Sequence, residues 1–160
     1  NVIGGGDFNE DRLVPDIIRA LKNNETILLR NPGAVRPWQH VLEPLSGYLR
    51  LGVLANNDSI KYAGAYNFGP DMDDHLTVKE LVELAIKNWG SGNWKDITNA
   101  NQPHEAGLLQ LNITRAKNQL GWQPRLNSQQ AIEWTIDWYK KSAQEIFDFT
   151  IKQISDYQGA

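Results

Sequence analysis

The stretch RNPGAVRPWQHVLEPLSGYL, residues 30–49, decides how the chain is interpreted. A Pro-Gly pair near its start predicts a turn, and residues 35–41 alternate in polarity as an extended segment does around a proline. From Glu43 onward, with a proline at a first-turn position, apolar residues recur at helical spacing. The stretch therefore predicts a turn, an extended segment and a helix that ends near Leu54.

Short strands and helices alternate on both sides of this stretch. Short apolar or aromatic runs that end in turn residues predict strands at residues 2–3, 26–29, 66–68 and 108–111. Apolar residues at helical spacing predict helices from residue 13 to near residues 23–24, from 77, at 114–120 and at 128–146. Asp11 is the predicted cap of the first of these helices, and Thr77 with Glu80 forms a predicted capping box. The alternation predicts an α/β or α+β fold.

Composition limits the possible classes of protein. A chain of 160 residues with 41% hydrophobic and 22% charged residues suits one globular domain with a substantial core, and no linker or repeat divides it. The net charge of −3 leaves no basic face for nucleic acid, and no apolar run approaches the roughly 18 residues of a membrane span. The absence of cysteine excludes disulfides, thiolate metal sites and a cysteine nucleophile, and it fits a reducing cytoplasm.

Motifs that carry catalytic chemistry are absent from the sequence, so no catalytic residue is predicted. Residues 4–6, Gly-Gly-Gly, could cradle a phosphate or form a plain turn, and the lack of a following lysine and hydroxyl favours the turn. Asp71, Asp73, Asp74 and His75 resemble ligands of a hard metal, but the glycine and glutamate of a calcium loop are missing. We expect a solvated acidic loop there and no metal site.

Arg36 is the strongest candidate for ligand binding. It lies between Val35 and a Pro-Trp pair, beside an aromatic wall rather than on a helix surface. A guanidinium group binds phosphate oxygens in a bidentate manner, which favours an anion site. The alternative is a surface ion pair whose aliphatic stem packs on Trp38. From the residues alone the two interpretations carry equal weight.

Five other residues could belong to the same site. Arg12 and Arg30 could add positive charge around one anion. Asn1, Asn67 and His104 lie at or near predicted strand ends, where ligands of α/β sheets commonly bind. Taken singly, each of these residues is more often structural.

Six motifs follow one another along the chain: EDRLVPDIIRA, LRNPGAVRPWQHVLEPLSGYL, YNFGP, TVKELVELA, PHEAGLLQLNITRAKNQLGWQP and AIEWTIDWY. In this order they resemble the C-terminal half of the CDP-glucose 4,6-dehydratases, a family of extended short-chain dehydrogenases/reductases. The most specific part is residues 36–45, because other nucleotide-sugar dehydratases carry an Arg-Asp-Trp-type block there. The opening Asn-x-x-Gly and the Leu-Gly-Trp-x-Pro near residue 120 are shared across the superfamily.

The resemblance implies an α/β fold with short strands and several helices, the C-terminal substrate-binding part of a Rossmann-like enzyme. Intact members are NAD-dependent lyases that oxidise C4 of CDP-glucose, eliminate water across C5 and C6, and return the hydride to C6. This implies a cytoplasmic homo-oligomer that serves deoxysugar and lipopolysaccharide biosynthesis. No tyrosine of this chain has a lysine four residues later, so the Tyr-x-x-x-Lys pair of such enzymes is missing.

Residues 1–160 are therefore expected to form a single nucleotide-sugar-binding region, without the N-terminal half that mainly binds NAD. We expect this region to be inactive by itself. The resemblance implies that Asn1 and Arg36 hold the diphosphate of CDP-glucose. Four further residues would line the nucleotide pocket: Arg12, Leu13, Leu29 and Arg30.

Three more positions follow from the resemblance. Asn67 lies where relatives contact the diphosphate, and His104 and Glu105 lie where they contact the ribose or the phosphates. Trp38 and Glu43 are expected to be scaffold. Together these residues make CDP-glucose the expected ligand.

Two alternatives remain open. The chain could come from another nucleotide-sugar dehydratase, an epimerase or a decarboxylase, which a preference for a different base would reveal. It could also be a stand-alone binding module. In that case it should be a soluble monomer, whereas a severed half should expose the apolar flank of Val2 and Ile3 and associate.

Overall fold

The computed structural model describes residues 1–99 and 107–159. The strands in these ranges are short: β1 Val2–Ile3, β2 Ile27–Leu29, β3 Val35–Arg36, β4 Gln39–His40, β5 Leu76–Thr77 and β6 Trp94–Asp96. The α-helices are α1 Leu13–Asn23, α2 Leu42–Asn57, α3 Ser59–Tyr62, α4 Val78–Trp89, α5 Ser128–Tyr139 and α6 Ile146–Gly159. A π-helical turn occupies Ala116–Leu120. Within these ranges, no helix is long and apolar enough to cross a bilayer.

The strands form three separate pairs. β1 runs parallel to β4, β2 runs parallel to β6, and β3 runs antiparallel to β5. β3 and β4 are neighbours in sequence but belong to different pairs, so the chain crosses between pairs at Pro37 and Trp38. This crossing brings the end of β3 beside the start of β1.

Most of the hydrophobic core lies between helices α1, α4 and α5. Its fully buried side chains include Ile17 of α1, Val82 of α4 and Ile136 of α5, each with at most 1% of its surface exposed. A second cluster surrounds Phe68 and Trp122, whose rings meet edge to face at 5.0 Å, and packs against α2. The first cluster carries α1 and β2, which form the walls of the candidate site.

The structure confirms several predicted elements. The helix predicted from Thr77 is α4, and its capping box with Glu80 is present. The helix predicted after residue 114 takes the π form and ends at Gly121, whose φ of 60° suits a residue without a side chain. The predicted helix from Glu43 is α2, which begins one residue earlier at Leu42.

The prediction that Asp11 caps α1 is wrong. The capping position is Arg12, in an extended conformation, and its side chain makes no capping hydrogen bond. Asp11 lies one residue too early to reach the free amide groups of the first turn, and it has a left-handed φ of 59°.

Two predicted strands and one predicted helix also differ. Residues 66–68 form no ladder, and in 108–111 only Leu108 makes an isolated bridge, with Val35. The helix predicted over residues 128–146 divides into α5 and α6. The carboxylate of Glu145 accepts hydrogen bonds from the backbone amide and the hydroxyl of Ser142, which starts a new helical turn. The sequence contains this signal as a Ser-x-x-Glu pattern.

Candidate functional site

Two adjacent cavities of about 350 and 370 Å³ lie along the N-terminal end of α1. Asn1, Asp11, Leu13 and Trp38 line both of them. We call the pair the α1 groove. The cavity that also contains Gly4, Asp7 and Arg12 is its glycine side, and the cavity that also contains Arg30 and Arg36 is its arginine side. Both volumes fall in the range of small-molecule sites.

The arginine side brings together five of the residues assigned to the substrate by resemblance: Asn1, Leu13, Leu29, Arg30 and Arg36. They come from four different elements of the chain, at the start of β1, in α1, at the end of β2 and in β3. Leu13, Leu29, Ala34 and Val78 give this cavity an apolar wall, and the two arginines give it positive charge. Such a cavity suits an anion that is attached to a flat apolar group.

Arg36 is a buried lining residue, with 8% of its surface exposed. Its Nη1 donates a hydrogen bond to the carbonyl oxygen of Val35 at 2.9 Å. Beside it, Trp38 is 3% exposed, and its Nε1 donates to the carbonyl oxygen of Leu76 at 3.2 Å. The interpretation of Arg36 as a surface residue therefore does not fit. Trp38 lines the same cavity, and the burial of both side chains limits the side-chain entropy that Arg36 would lose on binding.

Asn1 is held beside Arg36 by strand pairing. Its amino group donates to the carbonyl oxygen of Pro37 at 2.5 Å, and its carbonyl oxygen accepts from the backbone amide of Gln39 at 3.0 Å. The two residues assigned to a diphosphate are therefore neighbours.

The two sides of the groove differ in charge. On the glycine side, Arg12 pairs with Asp7 at 3.3 Å, and Asp11 adds a second carboxylate. On the arginine side, two guanidinium groups balance the carboxylates of Asp11 and Asp16. Because two guanidinium groups line the arginine side and one lines the glycine side, the arginine side is the better position for an anion.

The other assigned residues are not brought into the groove. Asn67 is exposed, lines neither cavity, and donates a hydrogen bond from Nδ2 to the carbonyl oxygen of Asn112 at 3.2 Å. His104 and Glu105 lie outside the described residues.

The glycine run at residues 4–6 packs against side chains. A Cβ on Gly5 would lie 2.0 Å from the ring of Trp138, and one on Gly4 would lie 2.8 Å from Val41. The helix that follows begins only at Leu13. A dinucleotide cradle needs a glycine turn that leads directly into a helix N-terminus. The described residues do not provide such a cradle for NAD.

Two residues of the acidic loop 71–74 take part in structural contacts. Asp71 forms an ion pair with Lys117, and Asp74 accepts a hydrogen bond from the backbone amide of Ser128 at 2.8 Å, at the start of α5. In residues 1–99 and 107–159, no group of three or more histidine, aspartate or glutamate side chains is arranged to hold a metal ion.

Glu43 anchors the helix that follows the site. It is fully buried; Oε1 accepts from the backbone amides of Arg125 and Leu126 at 3.0 and 2.8 Å, and Oε2 accepts from the hydroxyl of Tyr157 at 2.9 Å. Burial raises the pKa of Glu43, and these hydrogen bonds oppose the rise. Glu43 lines neither side of the groove.

Sequence reasoning missed several residues that line the arginine side: Asp11 and Asp16 as acids, and Asn31, Ala34 and Val78. For Asp16 a signal was available. It follows Leu13 by three residues in a predicted helix, so the two side chains share a face. For Val78 no such signal exists, because its place in the groove depends on the pairing of β3 with β5.

The chain is similar over its full length to CDP-glucose 4,6-dehydratase of Salmonella typhimurium, with 40% identity over 162 residues. It matches the C-terminal part of that protein and spans 45% of its length. This match confirms the resemblance that the motifs indicate: the chain is homologous to the C-terminal part of CDP-glucose 4,6-dehydratase. No family model matches the chain.

Solved structures with the same fold are also found. The dTDP-glucose 4,6-dehydratase of Bacillus anthracis, in complex with NAD, matches 93% of this chain and 45% of its own, with a TM-score of 0.71 and 21% identity. A UDP-glucose-4-epimerase of Stenotrophomonas maltophila, with bound NAD and formylated UDP-arabinopyranose, matches 88% of this chain and 45% of its own, with a TM-score of 0.72 and 16% identity. The predicted α/β fold with short strands and several helices is confirmed, and these structures share it.

Proposed function

We propose that this chain is the nucleotide-sugar-binding portion of a CDP-glucose 4,6-dehydratase, a lyase. The intact protein would convert CDP-glucose to CDP-4-keto-6-deoxyglucose and water. Residues 1–160 would form one C-terminal region, and the N-terminal half would lie outside this chain. The similarity to one such enzyme along the whole chain supports this proposal.

The observation that carries the proposal is the arginine side of the α1 groove. It combines Arg30 and Arg36 with an apolar wall that includes Leu13 and Leu29. Guanidinium groups bind phosphate oxygens, and an apolar wall accepts the faces of a base. The diphosphate would lie between Asn1 and Arg36, with the nucleoside against Leu13 and Leu29. Arg12 would contribute from the glycine side.

The groove supplies binding rather than catalysis. Among the described residues that line it there is no tyrosine or histidine, and the chain lacks the Tyr-x-x-x-Lys pair of such enzymes. We therefore propose that the chain does not turn over substrate alone. The intact enzyme would depend on NAD, which supplies hydride transfer when bound, and the N-terminal half would hold most of it. Asn67, His104 and Glu105 remain proposed contacts to the substrate.

Exposed apolar side chains support the existence of a further part of the protein. Val2 is 42% exposed on β1. On α2, four apolar side chains at helical spacing are exposed: Leu45, Tyr48, Leu49 and Val53. A continuous apolar helix face on a soluble protein usually contacts another protein surface. The intact enzyme would be a homo-oligomer, cytoplasmic, and part of deoxysugar and lipopolysaccharide biosynthesis.

A second candidate is another nucleotide-sugar enzyme. The names of the two structural relatives indicate enzymes of dTDP- and UDP-sugars. They share the fold of this chain, at a lower sequence identity than the CDP-glucose 4,6-dehydratase. The base of the nucleotide separates the two candidates, because the diphosphate is common to all of them.

The test is a calorimetric titration of this chain with CDP, and with UDP and TDP in parallel. Tighter binding of CDP is the expected result. Tighter binding of UDP or TDP would replace the proposed substrate, and no binding by a chain with a cooperative thermal transition would overturn the proposed function of the groove. Sedimentation then separates a severed half, which should associate through its exposed apolar face, from a stand-alone module, which should remain monomeric.

A further inference from the structure

We infer that Asp16 selects cytosine over uracil and thymine by accepting a hydrogen bond from the 4-amino group of the base. This inference rests on the proposed function, because it assigns the base contact within the same groove. It adds a residue that is not among those assigned to the substrate by resemblance.

Asp16 lies where the nucleoside would lie. It is in the first turn of α1, three residues after Leu13, so both side chains lie on one face of the helix. It lines the arginine side only, together with Leu28 and Leu29 of β2. A base packed against Leu13 would have Asp16 at its edge.

The carboxylate of Asp16 is held in place on one oxygen. Oδ1 accepts from Nη2 of Arg19, which also donates to the carbonyl oxygen of Asn9 at 3.2 Å. Nη1 of Arg19 donates to the carbonyl oxygen of Phe8 at 3.1 Å. Within the described part of the chain, Oδ2 of Asp16 has no hydrogen-bond partner. Both side chains are partly exposed, 48% for Asp16 and 41% for Arg19, so the ion pair orients the carboxylate and leaves one oxygen available to a donor.

The other two acids of the groove are less suited to this role. Asp7 lines the glycine side alone and is engaged by Arg12 and by Nδ2 of Asn9, at 3.3 and 2.8 Å. Asp11 lies at the boundary of the two sides, in an exposed loop, and no contact in the described residues holds its carboxylate. Asp16 is the acid that combines a position beside the apolar wall with an ion pair, to Arg19, that orients its carboxylate.

Cytosine and uracil differ at the position that such a carboxylate reads. Cytosine carries an amino group at C4, which donates, whereas uracil and thymine carry a carbonyl oxygen, which accepts. An ionised carboxylate therefore attracts the amino group of cytosine and repels the carbonyl oxygen of uracil or thymine. The first turn of a helix also favours a negative charge at this position.

Specificity arises here separately from affinity. Arg30 and Arg36 would contact phosphates, which CDP, UDP and TDP share, so they raise the affinity for all three. Asp16 would contact the atom that differs, so it sets the ratio of the affinities. The two contributions can be separated by mutation.

The test is the substitution Asp16→Asn, with dissociation constants measured for CDP and UDP. Asparagine keeps the size of the side chain and can still accept from Arg19 through its carbonyl oxygen. Its amide nitrogen then takes the place of Oδ2 and donates, which suits uracil. We expect the preference of the wild-type chain for CDP to fall by about tenfold or more. Asp16→Ala, which neither attracts nor repels, should bring the two affinities close to each other.

Asp148→Asn is the matched control, because Asp148 is an exposed first-turn aspartate of α6 that lines neither cavity. It should keep the wild-type ratio. An unchanged ratio in both Asp16 variants would overturn the inference, and so would a wild-type chain that binds CDP and UDP equally. A folded wild-type chain that binds neither nucleotide would instead overturn the proposed function on which the inference rests.

Discussion

Glu43 and Tyr157 are joined by a buried hydrogen bond of 2.9 Å, although 114 positions separate them in the sequence. Glu43 lies in the first turn of α2, shortly after the segment that carries Arg36, and Tyr157 lies near the end of α6. Ser46 is part of the same network, since its hydroxyl lies 3.0 Å from that of Tyr157 and accepts from Nε1 of Trp122 at 2.9 Å. The hydrogen bond therefore joins α6 to α2, the helix that follows the segment forming one wall of the groove.

Replacing Glu43 by alanine should lower the free energy of unfolding by about 3–5 kcal/mol. The reason is that two backbone amides, of Arg125 and Leu126, and the hydroxyl of Tyr157 would lose their buried acceptor. Chemical denaturation at neutral pH measures the change. Glu43→Gln keeps one carbonyl acceptor and removes the buried charge, so it should lose clearly less. Equal stability of the alanine variant and the wild type would contradict the scaffold role of Glu43.

His40 makes stability depend on pH. Burial lowers its pKa to about 4, and its Nε2 has no hydrogen-bond partner among the described residues. Above pH 6.5 His40 is neutral in both the folded and the unfolded chain, so it does not lower the free energy of unfolding there. As the pH falls from 6.5 to about 4, the unfolded chain gains a proton that the folded chain rejects, which costs about 3 kcal/mol.

His40→Phe should remove this slope, because phenylalanine does not titrate and can keep the edge contact with Trp134, now at 5.7 Å between ring centroids. Urea denaturation at about pH 7, 5.5 and 4.5 measures the free energy of unfolding across the pH range in which the unfolded chain takes up the proton. His75→Asn changes an exposed histidine and serves as the control. A slope that persists in His40→Phe would assign the pH dependence to other groups.

The fold was predictable where local signals agree with tertiary structure. The capping box at Thr77 and the stop at Gly121 depend on neighbouring residues, and both are confirmed. β5 and β6 were not predicted, because two- and three-residue strands are defined by their partners rather than by their own sequence. Asp11 shows the limit of cap prediction, since a shift of one residue separates a cap from a left-handed loop residue.

Two glycines of α2 should respond to alanine in opposite ways. A Cβ on Gly47 would lie 2.3 Å from the ring of Phe68, whereas a Cβ on Gly52 would meet nothing within 4 Å. Gly52→Ala should therefore stabilise the helix by about 1 kcal/mol, the difference in helix propensity. Gly47→Ala should destabilise the protein by about 1–3 kcal/mol through overpacking. Thermal unfolding of both variants checks the signs, and a stabilising Gly47→Ala would contradict the packing of Phe68.

The candidate site was predictable only in part. Asn1, Leu13, Leu29, Arg30 and Arg36 meet on the arginine side of the groove, as the family resemblance implied. The balancing acids were missed, because an aspartate in an amphipathic helix looks like an ordinary solvated residue until the cavity beside it is known. Asn67 lies apart from the groove, since its position depends on the path of an irregular segment that the sequence does not determine.

Arg36→Ala should weaken the binding of CDP by roughly 1.5–3 kcal/mol, the range for hydrogen bonds to charged groups. Arg36→Lys should recover only part of this loss, because an ammonium group cannot form the two parallel hydrogen bonds of a guanidinium fork. Calorimetry with CDP measures both variants, after thermal unfolding has shown that each is folded.

Arg30→Lys provides the comparison: Arg30 is exposed, so solvent screens its charge and its replacement should cost less. The ratio of CDP to UDP affinity should stay unchanged in all three variants, because the phosphates are common to both ligands. Unaltered CDP affinity in folded Arg36→Ala would remove Arg36 from the site, and a loss restricted to CDP would place Arg36 at the base instead of the diphosphate.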